Sequence, residues 1–321
     1  MPVENLVRRI FCASTLAGAV LSVAAGPASA AVLGGSSNQG PAMVQYMGQL
    51  CAAWSGTDSQ HHLNIACGTP GTGGFQTQVT DQLSAFAPAL AVYQNTLWMA
   101  WTGTDSNHTL NIAAVNPFTG ATTLSLEAFV VGNNDASSQA PALAVAEING
   151  TQQLVIAWTG TDSHHHLNVA SSLNVDPSST WSSTITLGQL ASGGPSLANW
   201  NGNLYIGWAG TDSNHSLNFA MAAANSLQFG GAQQVKSGST VLGSSNAPSL
   251  TTTANLNYGW RGAGNDITIA FYNNTASPAV PAAVGTTSIT TGFSPALFTV
   301  NGALWIGWID SNNNLEAELL P

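Results

Sequence analysis

Residues 101–111 read Trp-Thr-Gly-Thr-Asp-Ser-Asn-His-Thr-Leu-Asn, and the chain repeats this stretch almost unchanged. Further full copies lie at residues 54–64, 158–168 and 208–218, and shortened copies lie at 260–267 and 308–315. A proline opens every repeat, so that the repeats start near residues 40, 87, 140, 194, 247 and 294. Six copies at a period of about 50 residues predict an array of equivalent structural units.

The second repeat shows how one unit is built. Apolar or alternating segments at residues 89–92, 97–102 and 110–115 predict three strands, and a fourth strand is expected within 122–129. A polar stretch rich in turn-forming residues separates the second strand from the third. Helical periodicity is absent along the chain, and the pattern therefore predicts an all-β fold.

The second strand of each unit is apolar on both faces. In the second repeat Met99 and Trp101 point to one side of the sheet, and Trp98 and Ala100 point to the other. An antiparallel sheet that faces water on one side would carry a polar face, so each sheet must be covered on both sides by its neighbours. Four-stranded antiparallel sheets arranged around an axis form a β-propeller, and six repeats predict six blades.

The two ends of the chain predict how the ring closes. The sixth repeat starts near residue 294 and has room for only three strands before residue 321. Residues 31–38 precede the first repeat and contain an apolar Ala-Val-Leu run without a repeat of its own. We expect this segment to supply the outer strand of the last blade, which would hide two sheet edges.

Residues 1–30 are interpreted as a signal peptide. Arg8 and Arg9 precede an apolar stretch of small residues, and Ala28-Ser29-Ala30 fits a small-x-small cleavage site. Cleavage after Ala30 would release residues 31–321 as a single six-bladed propeller. The predicted location is therefore secreted, outside the cytoplasm.

The charge of the chain excludes several partners. Loss of the leader would leave 13 carboxylates against two strong bases, Lys236 and Arg261, for a net charge of about −11. Binding to a phosphate backbone needs many cationic contacts, so nucleic acid is not expected as a partner, and neither is membrane insertion. A polar and weakly charged surface suits neutral glycans or polysaccharide instead.

Cys51 and Cys67 flank the first full copy of the motif on consecutive predicted strands. They lie equally far from the intervening turn, and an oxidising compartment favours pairing of such cysteines. We predict a cross-strand disulfide, with no thiol chemistry.

The repeated loop allows two interpretations. In the structural one, Asp and Ser cap the turn, Gly supplies unusual backbone angles and Trp fills the space between blades. In the functional one, Asp, Asn and His bond sugar hydroxyls, Trp stacks on the sugar or supports the loop, and repetition supplies avidity. Blades five and six lack the His, so the function would reside in blades one to four. The candidate ligand-binding residues are Trp54, Asp58, His61, Asn64, Trp101, Asp105, His108, Asn111, Trp158, Asp162, His165, Asn168, Trp208, Asp212, His215 and Asn218.

No metal site, cofactor or catalytic residue is assigned. His165 and its equivalents lie one per blade, and zinc needs three or four converging ligands. The loops also lack the closely spaced acidic residues of a dedicated calcium-binding loop.

Two other functions stay open as alternatives. A glycoside hydrolase for neutral polysaccharide needs carboxylates that converge in one cleft, and the carboxylates outside the motif scatter over several blades. Sialidases clamp a substrate carboxylate with three arginines, which this chain lacks after residue 30. The other alternative is a structural or protein-binding extracellular propeller.

In its repeat length, strand pattern and repeated Trp, Asp and Asn loops, the chain resembles bacterial secreted β-propeller lectins over residues 31–321. The resemblance implies a carbohydrate-binding role. Lectin propellers of the fucose-binding type use an arginine in each sugar site, and Arg261 alone could serve in this chain, so that preference does not carry over.

Overall fold

The computed structural model of the chain describes residues 20–22, 31–70, 73–133, 135–175, 181–273 and 281–320. These residues form strands and connecting loops, and the strands assemble into six sheets that are the blades of a β-propeller. The predicted fold class is confirmed. The described residues include no helix that is long and apolar enough to cross a membrane. The predicted cleavage site at Ala30 lies outside the described residues, while Val20–Ser22 pairs in parallel with Ala283–Thr290.

Each blade contains four antiparallel strands, which follow one another from the innermost to the outermost. Blade 1 contains Ala42–Tyr46, Gln49–Ser55, His62–Thr69 and Gly73–Leu83. Blade 2 contains Ala89–Tyr93, Thr96–Thr102, Leu110–Val115 and Phe129–Val130. Blade 3 contains Ala142–Ile148, Thr151–Thr159, His166–Ser172 and Ile185–Leu190.

The second half of the ring repeats this order. Blade 4 contains Ser196–Trp200, Asn203–Ala209, Leu217–Met221 and Gln233–Gln234. Blade 5 contains Ser249–Thr252, Leu256–Arg261, Asp266–Tyr272 and Ala283–Thr290. Blade 6 contains Ala296–Val300, Ala303–Ile309, Asn314–Leu319 and the N-terminal strand Ala31–Ser36. A small hairpin of Lys236–Ser237 and Thr240–Val241 lies outside the blades.

The apolar core is divided among the blade interfaces. Six clusters of buried side chains each combine residues of two adjacent blades, including the pair formed by blades 6 and 1. The innermost strands contact one another in sequence around the ring, and the sixth returns to the first. Burial on both faces therefore follows from stacking, since each sheet is covered by the sheets on either side.

The N-terminal strand closes the ring as predicted. Ala31 pairs with Ala317 and Val32 with Glu316, antiparallel to the third strand of blade 6. Leu33 is fully buried in the cluster between blades 6 and 1, and Val32, on the other side of the strand, is 64% exposed.

One strand prediction is corrected. The fourth strand of blade 2 is Phe129–Val130, and residues 123–124 pair instead in parallel with the outer strand of blade 1. Leu124 and Leu126 alternate with exposed residues and are buried in the cluster between blades 1 and 2, so the apolar pattern alone fits either sheet.

The predicted disulfide is present between Cys51 and Cys67. The two residues are directly opposite in the pairing of the second and third strands of blade 1, with their Cα atoms 4.1 Å apart. A covalent link of this kind fits an oxidising compartment.

Candidate functional site

The four full copies of the motif form equivalent turns on one face of the ring. Each turn joins the second strand of a blade to the third, and all six blades run in the same order from inside to outside. We call these segments the motif turns: residues 56–62, 103–109, 160–166 and 210–216. The face that carries them is the loop face.

The backbone of a motif turn is closed by two hydrogen bonds. In blade 2 the Gly103 amide donates to the Thr109 carbonyl at 2.8 Å, and the His108 amide donates to the Asp105 carbonyl at 3.0 Å. The same two bonds recur in the other three motif turns. His61, His108, His165 and His215 all have positive φ angles between 46° and 58°, a region that costs free energy for any residue other than glycine.

The aspartate of each motif turn is held by the turn itself. Oδ1 of Asp105 accepts hydrogen bonds from the Asn107 amide at 2.9 Å and from the Thr109 hydroxyl at 3.0 Å. Its Oδ2 accepts from the Thr109 amide at 3.1 Å. Asp58 and Asp162 make the equivalent amide bonds and receive a histidine Nδ1 instead of the hydroxyl, each at 2.8 Å. A carboxylate has about four acceptor positions, so capacity for a ligand remains.

Glycine and asparagine complete the turn by close packing. A Cβ atom on Gly103 would lie 2.6 Å from Oδ2 of Asp105 and 3.0 Å from Nδ2 of Asn111. The Asn111 Nδ2 also donates to the Thr109 carbonyl at 2.8 Å. Asn64, Asn168 and Asn218 donate in the same way. These asparagines therefore support the turn from beneath.

The motif tryptophans lie inside the ring. Trp54, Trp101, Trp158 and Trp208 are 1–2% exposed. Each belongs to the apolar cluster shared with the preceding blade. In this position the indole packs between blades beneath the loop, and its ring faces are not open to a ligand.

The motif histidines connect one blade to the next. The carbonyl of His61 accepts a hydrogen bond from the Ser84 amide at 3.0 Å, in the segment that leads into blade 2. The carbonyls of His108, His165 and His215 accept equivalent bonds at 3.0–3.1 Å. The imidazole rings of His61, His165 and His215 approach the carbonyl of the turn glycine through Nδ1. The histidine backbone is thus part of the seam between blades, while its ring is partly exposed on the loop face.

The turns stabilise a charged carboxylate. Partial desolvation raises the pKa of each turn aspartate, but the amide and side-chain donors lower it by more. The pKa of Asp58, Asp105 and Asp212 therefore lies below the ordinary value of 3.8. For Asp162, the hydrogen bond from His166 contributes to a pKa of about 2.

Blade 6 forms a turn like the motif turns, although its sequence matches the motif poorly. Asp310 accepts the amides of Asn312 and Asn314, both at 2.8 Å, and Asn313 has a φ of 65°. Asn313 also connects two blades as the motif histidines do, because its carbonyl accepts a hydrogen bond from the Ser37 amide at 3.1 Å. Two residues are deleted between Trp308 and the turn, so Asp310 does not align with the motif aspartates when the copies are aligned on tryptophan. The spacing from Asp310 to Leu315, which equals that from Asp58 to Leu63, is the signal that could have identified it.

Blade 5 differs more, since Gly262 replaces the aspartate. The nearby Arg261 donates to the Thr291 carbonyl at 3.0 Å, to the Asn246 side chain at 2.9 Å and to Asn265. Its guanidinium is therefore engaged by protein acceptors from the segments that lead into blades 5 and 6 and from its own turn.

Two chemical features of the loop face were missed in the sequence. Phe86 lies beside the His108 ring in an edge-to-face arrangement with centroids 6.4 Å apart, which adds a half-buried aromatic surface to blade 2. Phe86 sits two residues before the proline that opens its repeat, and Phe293 has the same place in repeat 6.

The second missed feature is a carboxylate pair in blade 6. Glu316 stands where the motif has asparagine, so the fold brings it near Asp310. Burial and the charge of Asp310 raise the pKa of Glu316. Desolvation raises the pKa of Asp310, but hydrogen bonds from Asn312 and Asn314 lower it overall.

The third motif turn brings three possible metal ligands together. Asp162, His164 and His166 each offer one ligand atom within 4.8 Å of the others. The sequence argument against zinc considered His165 and its equivalents, whereas the cluster in blade 3 is formed by the histidines on either side of His165.

Comparison with known proteins finds similarity in structure but no match in sequence. No protein-family model and no curated protein sequence matches the chain. A triple arginine-to-alanine mutant of AofleA from Arthrobotrys oligospora has a TM-score of 0.64 at 13% identity, over 91% of this chain and 86% of that one. Aleuria aurantia lectin, as a mutant in complex with Fucα1-6GlcNAc, has a TM-score of 0.57 at 12% identity, over 87% and 90%.

An enzyme has the same fold. Trypanosoma rangeli sialidase in complex with the inhibitor DANA has a TM-score of 0.53 at 12% identity, over 88% of this chain. The present chain spans 55% of the length of that sialidase. At these identities the likenesses show the fold, which hosts both binding proteins and enzymes.

Proposed function

We propose that this protein is a secreted, multivalent carbohydrate-binding propeller that recognises neutral saccharides through the motif turns of blades 1–4. The observation that carries the proposal is the repetition of one hydrogen-bonded turn four times on the same face, each time with exposed polar side chains. Structural stability alone does not require this longer turn, because blades 5 and 6 fold with turns two residues shorter.

Each proposed site combines fixed and variable groups. The turn aspartate presents its carboxylate at a defined position, and such an acceptor suits sugar hydroxyls. The motif histidine adds a second polar group, while the tryptophan and asparagine support the loop from below. Position 60 and its equivalents are exposed and vary between blades, which would tune each site: Gln60, Asn107, His164 and Asn214.

The charges of the loop face favour neutral ligands. Residues 31–321 contain two strong bases, and the guanidinium of one of them, Arg261, is already bonded to Thr291, Asn246 and Asn265. An acidic sugar would therefore meet the turn carboxylates with Lys236 as the one remaining strong base to balance its charge. The shared fold with Aleuria aurantia lectin in a fucoside complex supports a sugar-binding role in general terms.

Binding to an array of neutral glycans tests the proposal. The variant Gln60→Ala/Asn107→Ala removes exposed side chains from two turns while keeping the backbone amides that bond Asp58 and Asp105. We expect at least about tenfold lower avidity, because two of four linked sites are weakened, and an unchanged melting temperature. Gln152→Ala, exposed at the other end of a second strand, is the control and should bind normally. Absence of neutral-glycan binding by the wild-type protein contradicts the proposal, whereas protein ligands captured without any effect of sugar favour a structural role.

A glycoside hydrolase is the second candidate, supported by the carboxylate pair of blade 6. Carboxyls whose environments move their pKa values in opposite directions can serve as acid and base. In blade 6 the pKa of Asp310 is lowered and that of Glu316 is raised. Release of reducing ends from neutral polysaccharide by the wild-type protein, and its loss in Glu316→Gln, would favour the enzyme over the lectin.

A further inference from the structure

The third motif turn contains an Asp-x-His-x-His sequence that no other turn shares. Asp162 and His166 are bonded through Oδ1 and Nδ1 at 2.8 Å, with side chains 42% and 33% exposed. His164 lies between them in sequence, and its ring centroid is 5.5 Å from that of His166. Two imidazoles and a carboxylate therefore face solvent together on the loop face.

The backbone explains why the two imidazoles share one side. His165 has a φ of 58°, and its ring is directed to the carbonyl of Gly160 at 3.4 Å and to the hydroxyl of Ser138 at 3.4 Å. The left-handed residue thus sends its own side chain toward the blade seam. His164 and His166, on either side of it, are left beside Asp162.

We propose that Asp162, His164 and His166 form a binding site for a late first-row divalent cation such as Zn²⁺. Imidazole nitrogen and carboxylate oxygen are ligands that zinc accepts at about 2.0–2.2 Å. In a tetrahedral site this places neighbouring ligand atoms about 3.3–3.6 Å apart. The present separations of up to 4.8 Å need only small side-chain rotations, which exposure to solvent permits. Water or an exogenous ligand would complete the coordination.

The anchoring of the ligands favours this site over a chance cluster. The His164 amide donates to Asp162 Oδ1 at 2.9 Å, and the His166 amide donates to Oδ2 at 3.1 Å. The carboxylate is thereby fixed, so that a cation would have to order only the imidazoles. The net charge of −10 also attracts cations at long range. Ca²⁺ and Mg²⁺ prefer oxygen ligands and should bind far more weakly.

The chain provides a matched comparison in blade 1. Its turn contains the same Asp58–His62 pair at 2.8 Å, with Gln60 at the position of His164. The variant His164→Gln gives the third motif turn the same Asp-x-Gln-His-His order as residues 58–62, a sequence that already folds in this protein. Conversely, Gln60→His gives blade 1 all three ligands.

Isothermal titration of the full-length chain, produced without a histidine tag, with ZnCl₂ tests the site. The wild-type protein should bind one Zn²⁺, and His164→Gln should weaken binding by about 100-fold, since even loss of an outer-shell partner costs 10–100-fold. Gln60→His should raise the stoichiometry to two. His165→Asn, which copies Asn313 of blade 6, should bind as the wild type does.

Absence of Zn²⁺ binding by the wild type, equal binding by His164→Gln, or one site in Gln60→His would overturn the proposal. Neutral-glycan binding is a separate readout, so failure of either proposal leaves the other distinguishable.

Discussion

At the residue scale, the motif is mainly a device for building one turn. Asp105 bonds two backbone amides of its own turn, Gly103 makes room for the carboxylate, and Asn111 holds the carbonyl of Thr109. These interactions are local, and they explain why the residue types recur together. A ligand would meet the carboxylate edge and the exposed side chains above it.

Acid unfolding tests the role of the turn carboxylates. Their pKa values are lowered in the folded state, so their stabilising contribution is complete above the unfolded value of about 3.9 and disappears as the pH falls through the folded value, about 2 for Asp162. We expect the melting temperature to fall between pH 5 and pH 2, and to fall less steeply in Asp162→Asn. Circular dichroism against pH measures both slopes. Glu147→Gln, an exposed carboxyl outside the turns, is the control, and equal slopes in Asp162→Asn and wild type would refute the argument.

At the element scale, strand pairing in each blade is reinforced by the turn at its end. Blade 1 has an additional covalent link, because Cys51 and Cys67 occupy opposing positions on its second and third strands. Their separation of 16 residues closes a loop that includes the first motif turn. The disulfide therefore restricts the unfolded chain around this hairpin.

Replacement of both cysteines by alanine should lower the free energy of unfolding by about 2–3 kcal/mol, as expected for a loop of this length. Denaturant titration measures the change, and reduction of the wild-type protein should reproduce it. A double variant as stable as the oxidised wild type would show that the hairpin is already ordered in the unfolded chain.

At the scale of the whole molecule, the ring depends on a strand from the opposite end of the chain. In blade 6 the N-terminal strand Ala31–Ser36 pairs with the outer edge of Asn314–Leu319. Leu33 of this strand fills the interface with blade 1. A Cβ atom on Gly35 would overlap with the Trp54 indole. Closure thus joins the first and last elements of the propeller at one apolar seam.

Two substitutions on this strand separate packing from pairing. Leu33→Ala should destabilise the protein by about 2–4 kcal/mol, since it leaves a cavity at a fully buried position. Val32→Ala, on the exposed side of the same strand, should change stability by less than about 0.5 kcal/mol. Deletion of residues 31–38 should lower the melting temperature more than either substitution. Equal melting temperatures for the deletion and the wild type would contradict strand exchange as the closing interaction.

The accuracy of the sequence predictions follows the range of the interactions involved. Blade number and ring closure were predictable, because strands apolar on both faces need neighbours and the missing strand could be counted. The outer strand of blade 2 was expected within residues 122–129 but is Phe129–Val130, since the buried Leu124 and Leu126 fit the edge of blade 1 as well as that of blade 2. The equivalence of Asp310 to the motif aspartates was not recognised because a deletion changed its distance from Trp308, although not its place in the turn.

The amino-acid sequence by itself determined a six-unit all-β array, a cross-strand disulfide and a turn repeated four times, because repeats, strand alternation and turn chemistry are local properties of the chain. The tertiary structure alone decided which side chains are open to a ligand. Stacking of the blades buries Trp101 and its equivalents, and the left-handed backbone at His165 separates its ring from those of His164 and His166. Which side chains are exposed and which lie close together depends on the positions of neighbouring blades and on the path of the backbone. Spacing along the chain specifies neither.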